Sequence, residues 1–295
     1  MSDEVRKVLV VGAAGRFAGL VVSALAEKGI AVRGLVRDEA AAAAARSRGA
    51  AEIATADLRD PKSLDAAIRG VGGIFHIGPA FAPDEAKLGI NMVDAAQRAG
   101  VEKFVFSSVI QPTYVKLPNH ASKIPVEEAL FGSDLEYTIL RPTNFYQNMT
   151  PAWPAILADG AFGEPFSKTA RIARVDYRDV AEAAAIAFNT GRLAYGAFDL
   201  CADGSPSRED TVAVMSEVLG RRIVATEPSF DEWVARANLP YDDAQKQILR
   251  QVYAHYAAHG SPGNSLTLRA ILGREPRSLY AFIKELAALP SPEIR

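Results

Sequence analysis

Short apolar runs alternate with amphipathic segments over the first half of the chain. Most of the runs contain β-branched or long aliphatic residues and end at glycine, proline or a polar residue, which is typical of buried strands. The segments between them place apolar residues three and four positions apart, as in helices with one buried face. Strands are predicted at residues 8–11, 30–36, 51–56, 73–77, 103–109 and 135–140. Helices are predicted at residues 20–26, 38–48, 61–68, 84–99 and 123–131.

This alternation predicts an α/β fold with a doubly wound parallel sheet of the Rossmann type, because a crossover helix is the usual connection between parallel strands. The rhythm changes near residue 150, where prolines and a tryptophan interrupt it. We therefore predict an NAD(P)-binding Rossmann domain over residues 1–150 and a smaller α/β lobe on the substrate side over residues 151–295. Some elements of the second lobe are expected to return to the main sheet.

The turn after the first strand carries the glycine pattern of a dinucleotide-binding loop. Gly12 allows a sharp turn, Gly15 lets a pyrophosphate approach the backbone, and Ala18 is small enough for close packing of helix on strand. The N-terminus of the helix offers N–H donors and the positive end of a dipole to a phosphate. An ordinary strand-to-helix turn is the alternative interpretation. The loop residues predicted to bind the cofactor are Gly12, Ala14, Gly15, Arg16 and Phe17.

Arg37 directly follows the second strand, at the position that distinguishes the two nicotinamide dinucleotides. An arginine there accommodates the 2′-phosphate of NADP, and Arg16 in the glycine loop adds a second cation. The sequence therefore favours NADP(H) over NAD(H). Two other interpretations stay open: both arginines are solvated surface residues, or Asp38 binds the adenosine ribose of NAD.

Residues that follow the other strands are further candidates, because ligands of such sheets bind beyond the carboxyl ends of the strands. Asp57 follows the third strand and is predicted to contact the adenine, with Leu58 beside it; Asp57 as the N-cap of the next helix is the alternative. Gly78 and Pro79 would let the chain pass close to the adenosine half of the cofactor, or they form only a turn. Ser107 completes this predicted set of cofactor-binding residues.

Composition and charge narrow the function classes. The 295 residues are 49% hydrophobic and 23% charged with a net charge of −2, which gives no electrostatic reason to expect a nucleic-acid or membrane partner. Residues 1–7 lack the apolar core of a signal peptide, so a cytoplasmic location is expected. Cys201 is the only cysteine, and no metal site is predicted. His76 lies in an apolar strand and is predicted to be a core histidine rather than a catalytic one.

Several segments taken together resemble the NmrA-like, atypical branch of the short-chain dehydrogenase/reductase superfamily. They are residues 10–18 (VVGAAGRFA), 35–37 (LVR), 57–60 (DLRD), 100–108 (GVEKFVFSS), 119–123 (NHASK) and 137–145 (YTILRPTNF), and more loosely residues 175–181 and 272–276. The resemblance implies an N-terminal Rossmann domain and a small C-terminal lobe, with the substrate in the cleft between them. The family includes NADPH-dependent reductases of quinones and aromatic compounds, and regulators that bind NAD(P) without catalysis.

The acid/base motif of the superfamily is incomplete in this sequence. Short-chain dehydrogenases usually carry Tyr-x-x-x-Lys, in which the tyrosine is the acid and the lysine lowers its pKa and holds the nicotinamide ribose. By this resemblance Lys123 is the ribose ligand and electrostatic element, whereas Asn119 stands in the place of the tyrosine. A surface lysine at a helix start is the alternative for Lys123. The candidate proton donors are His120, Tyr114 and Tyr146, or there is none and a strongly electrophilic acceptor needs only a lysine or water.

Residues after the sixth strand and a set of aromatic residues are expected on the substrate side. The predicted nicotinamide contacts are Thr143, Asn144 and Phe145. The predicted aromatic wall for a flat substrate is Phe81, Tyr146 and Trp153.

The sequence thus predicts an NADPH-dependent oxidoreductase that transfers hydride to a small conjugated, quinone-like or carbonyl substrate. The alternative, suggested by Asn119, is a non-catalytic NADP(H)-sensing regulator that acts through a protein partner. A homodimer is left open.

Overall fold

The computed structural model describes residues 7–289, which form two compact units. The first unit contains the residues up to Pro142 together with Tyr177–Asp199. The second contains Thr143–Asp176 together with the residues from Leu200 onward. The first unit therefore takes in a helix and most of a strand from beyond residue 150.

A seven-stranded sheet with helices packed against it makes up the first unit. Elements are numbered in chain order over both units. The strands are β1 (Lys7–Val11), β2 (Ala31–Val36), β3 (Glu52–Thr55), β4 (Gly73–Ile77), β5 (Lys103–Ser107), β6 (Glu136–Pro142) and β10 (Gly196–Leu200). The helices are α1 (Ala18–Glu27), α2 (Ala42–Ser47), α3 (Pro61–Ile68), α4 (Glu85–Arg98), α5 (Pro118–Ala121), α6 (Ile124–Phe131) and α8 (Tyr177–Asn189).

The strand order across the sheet is β3-β2-β1-β4-β5-β6-β10. All pairings among β1 to β6 are parallel; Val8 of β1, for example, lies opposite Val32 of β2 and Gly73 of β4. The chain leaves β1 in one direction to build β2 and β3, and then returns to the other side of β1 to build β4. The order therefore reverses between β1 and β4, where such sheets bind their ligands. The predicted Rossmann-type fold is confirmed.

Burial of the strands on both faces explains why they read as continuous apolar runs. Every residue of β5 is buried, and so are four of the five residues of β1. Pro61 begins α3, and the carboxylate of Asp60 caps this helix by accepting the N–H of Lys62 at 3.0 Å. The alternative that Asp57 caps this helix is therefore wrong.

Short strands, six α-helices and a 3₁₀ helix at Tyr146–Ala152 make up the described part of the second unit. Its strands, β7 (Asn144–Phe145), β8 (Ala161–Gly163), β9 (Arg174–Val175) and β11 (Val224–Thr226), form two parallel pairs, β7 with β9 and β8 with β11. Its helices are α7 (Trp153–Asp159), α9 (Arg208–Leu219), α10 (Phe230–Ala237), α11 (Asp243–His259), α12 (Leu266–Leu272) and α13 (Leu279–Ala288). Over residues 7–289, no helix combines the length and apolar character that a membrane span requires.

We predict that Leu64→Ala destabilises the protein by about 2–5 kcal/mol, because the Leu64 side chain of α3 is fully buried in the core of the first unit. Urea unfolding monitored by circular dichroism measures this change. Val115→Ala is the control, since Val115 is 62% exposed and should change stability by less than about 0.5 kcal/mol. Equal effects of the two substitutions would contradict the assignment of Leu64 to the core.

Candidate functional site

The glycine loop lies at the carboxyl end of β1, where the strand order reverses. Gly12 has a φ of +69°, a conformation that favours glycine. The N–H groups of Gly12 and Ala13 donate to the carbonyl of Leu35 at 3.0 and 3.2 Å, which anchors the loop to β2. Gly15 donates to the Gly12 carbonyl at 2.7 Å, and a Cβ on Gly15 would lie 3.0 Å from that oxygen. α1 then begins at Ala18 without a side-chain cap, which keeps its N-terminus available to an anion.

An arginine that the sequence did not single out holds the other side of this loop. Arg48 follows α2, and its Nη1 donates to the carbonyls of Ala14 at 3.0 Å and Gly15 at 2.5 Å. The guanidinium packs over Gly19 of α1, where any Cβ would overlap it. The carbonyls of Ala14 and Gly15 thus point towards the Arg48 guanidinium. The contact joins residues more than 30 positions apart in the sequence. A local sequence pattern contains no signal for such a contact.

The cations predicted to select NADP are exposed at the same edge of the sheet. Arg37 follows β2 directly, and the guanidinium of Arg16 lies 5.9 Å from the centre of the Phe17 ring. Asp38 caps the turn that follows, because its Oδ1 accepts the N–H of Ala41 at 3.0 Å. Asp38, which was the alternative ligand for the adenosine ribose, thus has a local structural role. Contact of these residues with a cofactor stays a prediction.

The predicted residues at the ends of β3 and β5 have identifiable local partners. Asp57 is exposed, and its Oδ1 accepts the N–H of Arg59 at 2.9 Å. The carbonyl of Leu58 accepts a hydrogen bond from Asn91 of α4 at 2.9 Å. The hydroxyl of Ser107 lies 3.1 Å from that of Tyr177, which begins α8. Burial raises the pKa of Tyr177 well above its usual range, so this phenol stays protonated.

Lys123 forms a buried ion pair at the end of β4. Its ammonium contacts Oε1 of Glu85, in the first turn of α4, and Ser122 donates to the other carboxylate oxygen at 2.9 Å. Lys123 and Glu85 expose only 11% and 4% of their side chains. A Cβ on Gly78 would lie 2.5 Å from Oε1 of Glu85, so the glycine makes room for the carboxylate. Lys123 was predicted as a site residue, whereas Glu85 was not.

His76 lies beside this ion pair within β4. Its ring lies 5.8 Å from that of Phe106, and its Nδ1 has no hydrogen-bond partner among residues 7–289. Burial, and to a smaller extent the charge of Lys123, lowers the pKa of His76 to about 3. The imidazole is therefore neutral near neutral pH, as expected of a core histidine.

The residues around the missing tyrosine lie in and beside α5. Asn119 has a buried Oδ1 without a partner among the described residues. His120 is buried, and its Nδ1 lies 3.1 Å from the carbonyl of Gln111. The same carbonyl accepts the N–H of Tyr114 at 3.0 Å. Neither His120 nor Tyr114 is identified as a proton donor by these contacts, so both assignments stay predictions.

Predicted substrate-side residues of the second unit have partners within that unit. The hydroxyl of Thr143 donates to the carbonyl of Ala173 at 2.8 Å, and Oδ1 of Asn144 accepts from Nη1 of Arg174 at 3.0 Å. Phe145 belongs to β7 and pairs with β9. The side chains of Tyr146 and Trp153 lie in the hydrophobic core of the unit, where they are 2% and 0% exposed. Core packing explains why both rings are buried, and their contact with a substrate stays a prediction.

Two further predictions concern the loop after β4 and metal binding. Phe81 is half-buried and has a φ of +60°, an uncommon conformation for a bulky side chain. Pro79 is exposed in the same loop. Within residues 7–289 there is no group of three or more His, Cys, Asp or Glu side chains that would hold a metal ion.

We predict opposite effects of Gly19→Ala in two backgrounds. In the wild type the new methyl group displaces the Arg48 guanidinium, and the loss of its two hydrogen bonds destabilises the protein by about 1 kcal/mol or more. In an Arg48→Ala background that loss has already occurred, and the higher helix propensity of alanine stabilises the protein by up to about 1 kcal/mol. Urea unfolding of both single variants and the double variant tests this. A destabilising effect of equal size in both backgrounds would contradict the contact.

The buried neutral state of His76 predicts a pH dependence of stability. The folded imidazole takes up a proton only near pH 3, whereas the ordinary pKa is 6.5, so the unfolded state binds more protons between these values. The free energy of unfolding should therefore fall as the pH is lowered from about 6.5 towards 3, by at most about 1.4 kcal/mol per pH unit from this group. His76→Leu should lose this contribution. Urea unfolding from pH 7 to pH 4.5 measures it, and parallel curves for the two proteins would contradict a buried neutral His76.

Comparisons with known proteins show that the chain is similar to several reductases over nearly its full length. A NAD(P)H azoreductase from Xenophilus azovorans is 27% identical over 287 residues, which cover 95% of this chain and 98% of that protein. Quinone oxidoreductase 2 of Escherichia coli (strain K12) is 24% identical over 286 residues, which cover 95% and 98%. The solved structure of a Citrobacter sp. triphenylmethane reductase complexed with NADP(H) has a TM-score of 0.82 at 22% identity and covers 95% of this chain and 99% of that chain. The model of the NmrA-like family matches residues 4–285, and the chain therefore belongs to the NmrA-like family, as the sequence resemblance predicted.

Proposed function

We propose that this protein is an NADPH-dependent reductase of a small conjugated acceptor. The observation that carries the proposal is the glycine loop at the reversal of the strand order, followed by a helix whose N-terminus has no side-chain cap. This combination of close backbone approach and N–H donors suits a pyrophosphate. The similarity to reductases over nearly the full chain supports an enzyme rather than a binding module.

With the pyrophosphate at the glycine loop, we assign the other cofactor contacts as follows. The pyrophosphate is held by the loop from Gly12 to Phe17, and the 2′-phosphate by Arg37 with Arg16. The adenosine half is lined by Asp57, Leu58, Gly78 and Pro79. Ser107, at the end of β5, and Lys123, at the start of α6, hold the nicotinamide ribose. When bound, NADPH supplies the hydride for the reaction.

The acceptor class follows from the residue that stands in the place of the usual acid. Asn119 has no ionisable group, so it cannot protonate a developing alkoxide. An acceptor that delocalises the incoming electron pair over a conjugated system needs less help from an acid. The relatives are named for azo, quinone and triphenylmethane acceptors, which share this property. We therefore favour a quinone-like or other conjugated electrophile over an isolated carbonyl compound, with the proton supplied by the Lys123 ammonium or by water.

Asn119 also favours a second candidate, a regulator that binds NADP(H) and performs no reaction. The two candidates differ in turnover rather than in binding. The regulator would bind NADPH tightly and would leave it unoxidised with every acceptor.

We predict that Arg37→Ala weakens NADPH binding at least tenfold, equivalent to about 1.4 kcal/mol, and changes NADH binding less than twofold. The reason is that the 2′-phosphate, which only NADPH carries, loses its cation. Isothermal calorimetry with the purified protein measures both dissociation constants. Arg46→Ala is the control, because Arg46 is also exposed but lies in α2, beyond the end of β2. Equal loss for NADPH and NADH would contradict the assignment of Arg37.

The proposed reaction is tested by NADPH oxidation, followed at 340 nm, against quinones, azo dyes, triphenylmethane dyes, enones and aldehydes. We expect turnover with the conjugated acceptors and much slower turnover with simple aldehydes. Binding of NADPH without oxidation by any acceptor would contradict the reductase and favour the regulator. A failure to bind either nucleotide would exclude both candidates.

A further inference from the structure

We propose that Glu85 is a positioning residue, which holds the Lys123 ammonium at the place where it meets the nicotinamide ribose. The proposal rests on the proposed function, because it assumes that Lys123 binds that ribose. α5 ends at Ala121, Lys123 is the first residue before α6, and its ammonium is paired with a carboxylate from α4.

Each oxygen of the Glu85 carboxylate has a hydrogen-bond partner. One oxygen contacts the Lys123 ammonium, and the other accepts the hydroxyl of Ser122 at 2.9 Å. The N-terminus of α4 adds a favourable dipole to a carboxylate in its first turn. Gly78, directly after β4, leaves the space that the carboxylate occupies. The first turn of α4, the turn after β4 and the segment before α6 therefore meet at the Glu85 side chain. The contact with Glu85 restricts the position of the Lys123 ammonium.

Pairing with Glu85 explains how the charged Lys123 ammonium can be buried. Lys123 is buried, and a buried charge is costly unless it is paired and hydrogen-bonded. The centre of the Phe106 ring lies 6.0 Å from the ammonium, and the imidazole of His76 is neutral. Glu85 is thus the group that balances the charge of Lys123 in its immediate surroundings among the described residues. The sequence offers no signal for this pairing, since the two residues are 38 positions apart.

A structural role and a positioning role differ in what they do to two ligands. NADPH contains the nicotinamide ribose, whereas adenosine 2′,5′-bisphosphate contains only the adenosine half with its 2′-phosphate. A variant that only destabilises the fold should weaken the binding of both ligands. A variant that misplaces Lys123 should weaken the binding of NADPH and leave the binding of adenosine 2′,5′-bisphosphate unchanged.

The experiment measures both dissociation constants by calorimetry for the wild type, Glu85→Gln, Lys123→Met and the double variant. We expect Glu85→Gln to weaken NADPH binding at least tenfold and adenosine 2′,5′-bisphosphate binding less than twofold. Lys123→Met should show the same selective loss of NADPH affinity. The double variant should lose no more NADPH affinity than Lys123→Met alone. Because the double variant removes both buried charges, it also keeps the test valid if Glu85→Gln folds poorly.

Glu127→Gln is the matched control. Glu127 is also buried and bonds a serine and a cation, because it accepts from Ser108 at 2.6 Å and from Arg141 at 3.0 Å. Loss of the Glu127 carboxylate should lower the unfolding temperature. It should not change the ratio of the dissociation constants for NADPH and adenosine 2′,5′-bisphosphate. A ratio shifted equally in Glu127→Gln and Glu85→Gln, or unchanged in both, would overturn the proposal.

Assays of NADPH oxidation on the same proteins separate this proposal from the proposed function. If the wild type binds NADPH but oxidises none with any acceptor, the reductase assignment fails while the binding ratio still tests Glu85. If the wild type turns over and Glu85→Gln leaves both kcat and the binding ratio unchanged, the positioning role fails while the reductase assignment stands.

Discussion

The site depends on how the glycine loop is fixed between β1 and α1. Its N–H groups at Gly12 and Ala13 bond the carbonyl of Leu35, and two of its carbonyls bond Arg48. Because these partners come from β2 and from the end of α2, the loop takes its shape only when the sheet is assembled. In the cofactor site that we propose, the uncapped N-terminus of α1 and the exposed Arg37 then bind the phosphates of the nucleotide. The proposed anion site is thus a consequence of strand order as much as of glycine content.

Buried charge pairs shape the same edge of the sheet further along. Glu85 with Lys123 and Glu127 with Arg141 each combine a carboxylate, a cation and a serine. Such pairs contribute little net stability once the cost of desolvation is included, so their presence is weak evidence for a role in stability. For the pair of Glu85 with Lys123 we propose a function, which is to place the lysine at the cofactor ribose. The lysine is then held by a carboxylate in a protein that has Asn119 in place of the customary tyrosine.

Periodicity was sufficient to predict strands β1 to β6, because most of them carry short apolar runs and they are separated by amphipathic helices. The strand at residues 73–77 was located to the residue. Contacts across long sequence distances were not predictable: Arg48, Glu85 and the partner of Ser107 depend on which elements become neighbours. Asp60 rather than Asp57 caps α3, a choice between two carboxylates that local pattern does not resolve. Aromatic residues such as Trp153 are equally suited to a core and to a substrate wall.

The central claim is that hydride passes from NADPH to a conjugated acceptor on this protein. The most direct measurement is mass spectrometry of the product formed from NADPH deuterated at both C4 positions, with an acceptor that keeps the transferred hydrogen on carbon, such as a triphenylmethane dye cation or an enone. We expect one carbon-bound deuterium per product in ordinary water, and none at the hydride position when unlabelled NADPH reacts in heavy water. Product without that deuterium, or tight NADPH binding with no oxidation by any acceptor, would contradict it.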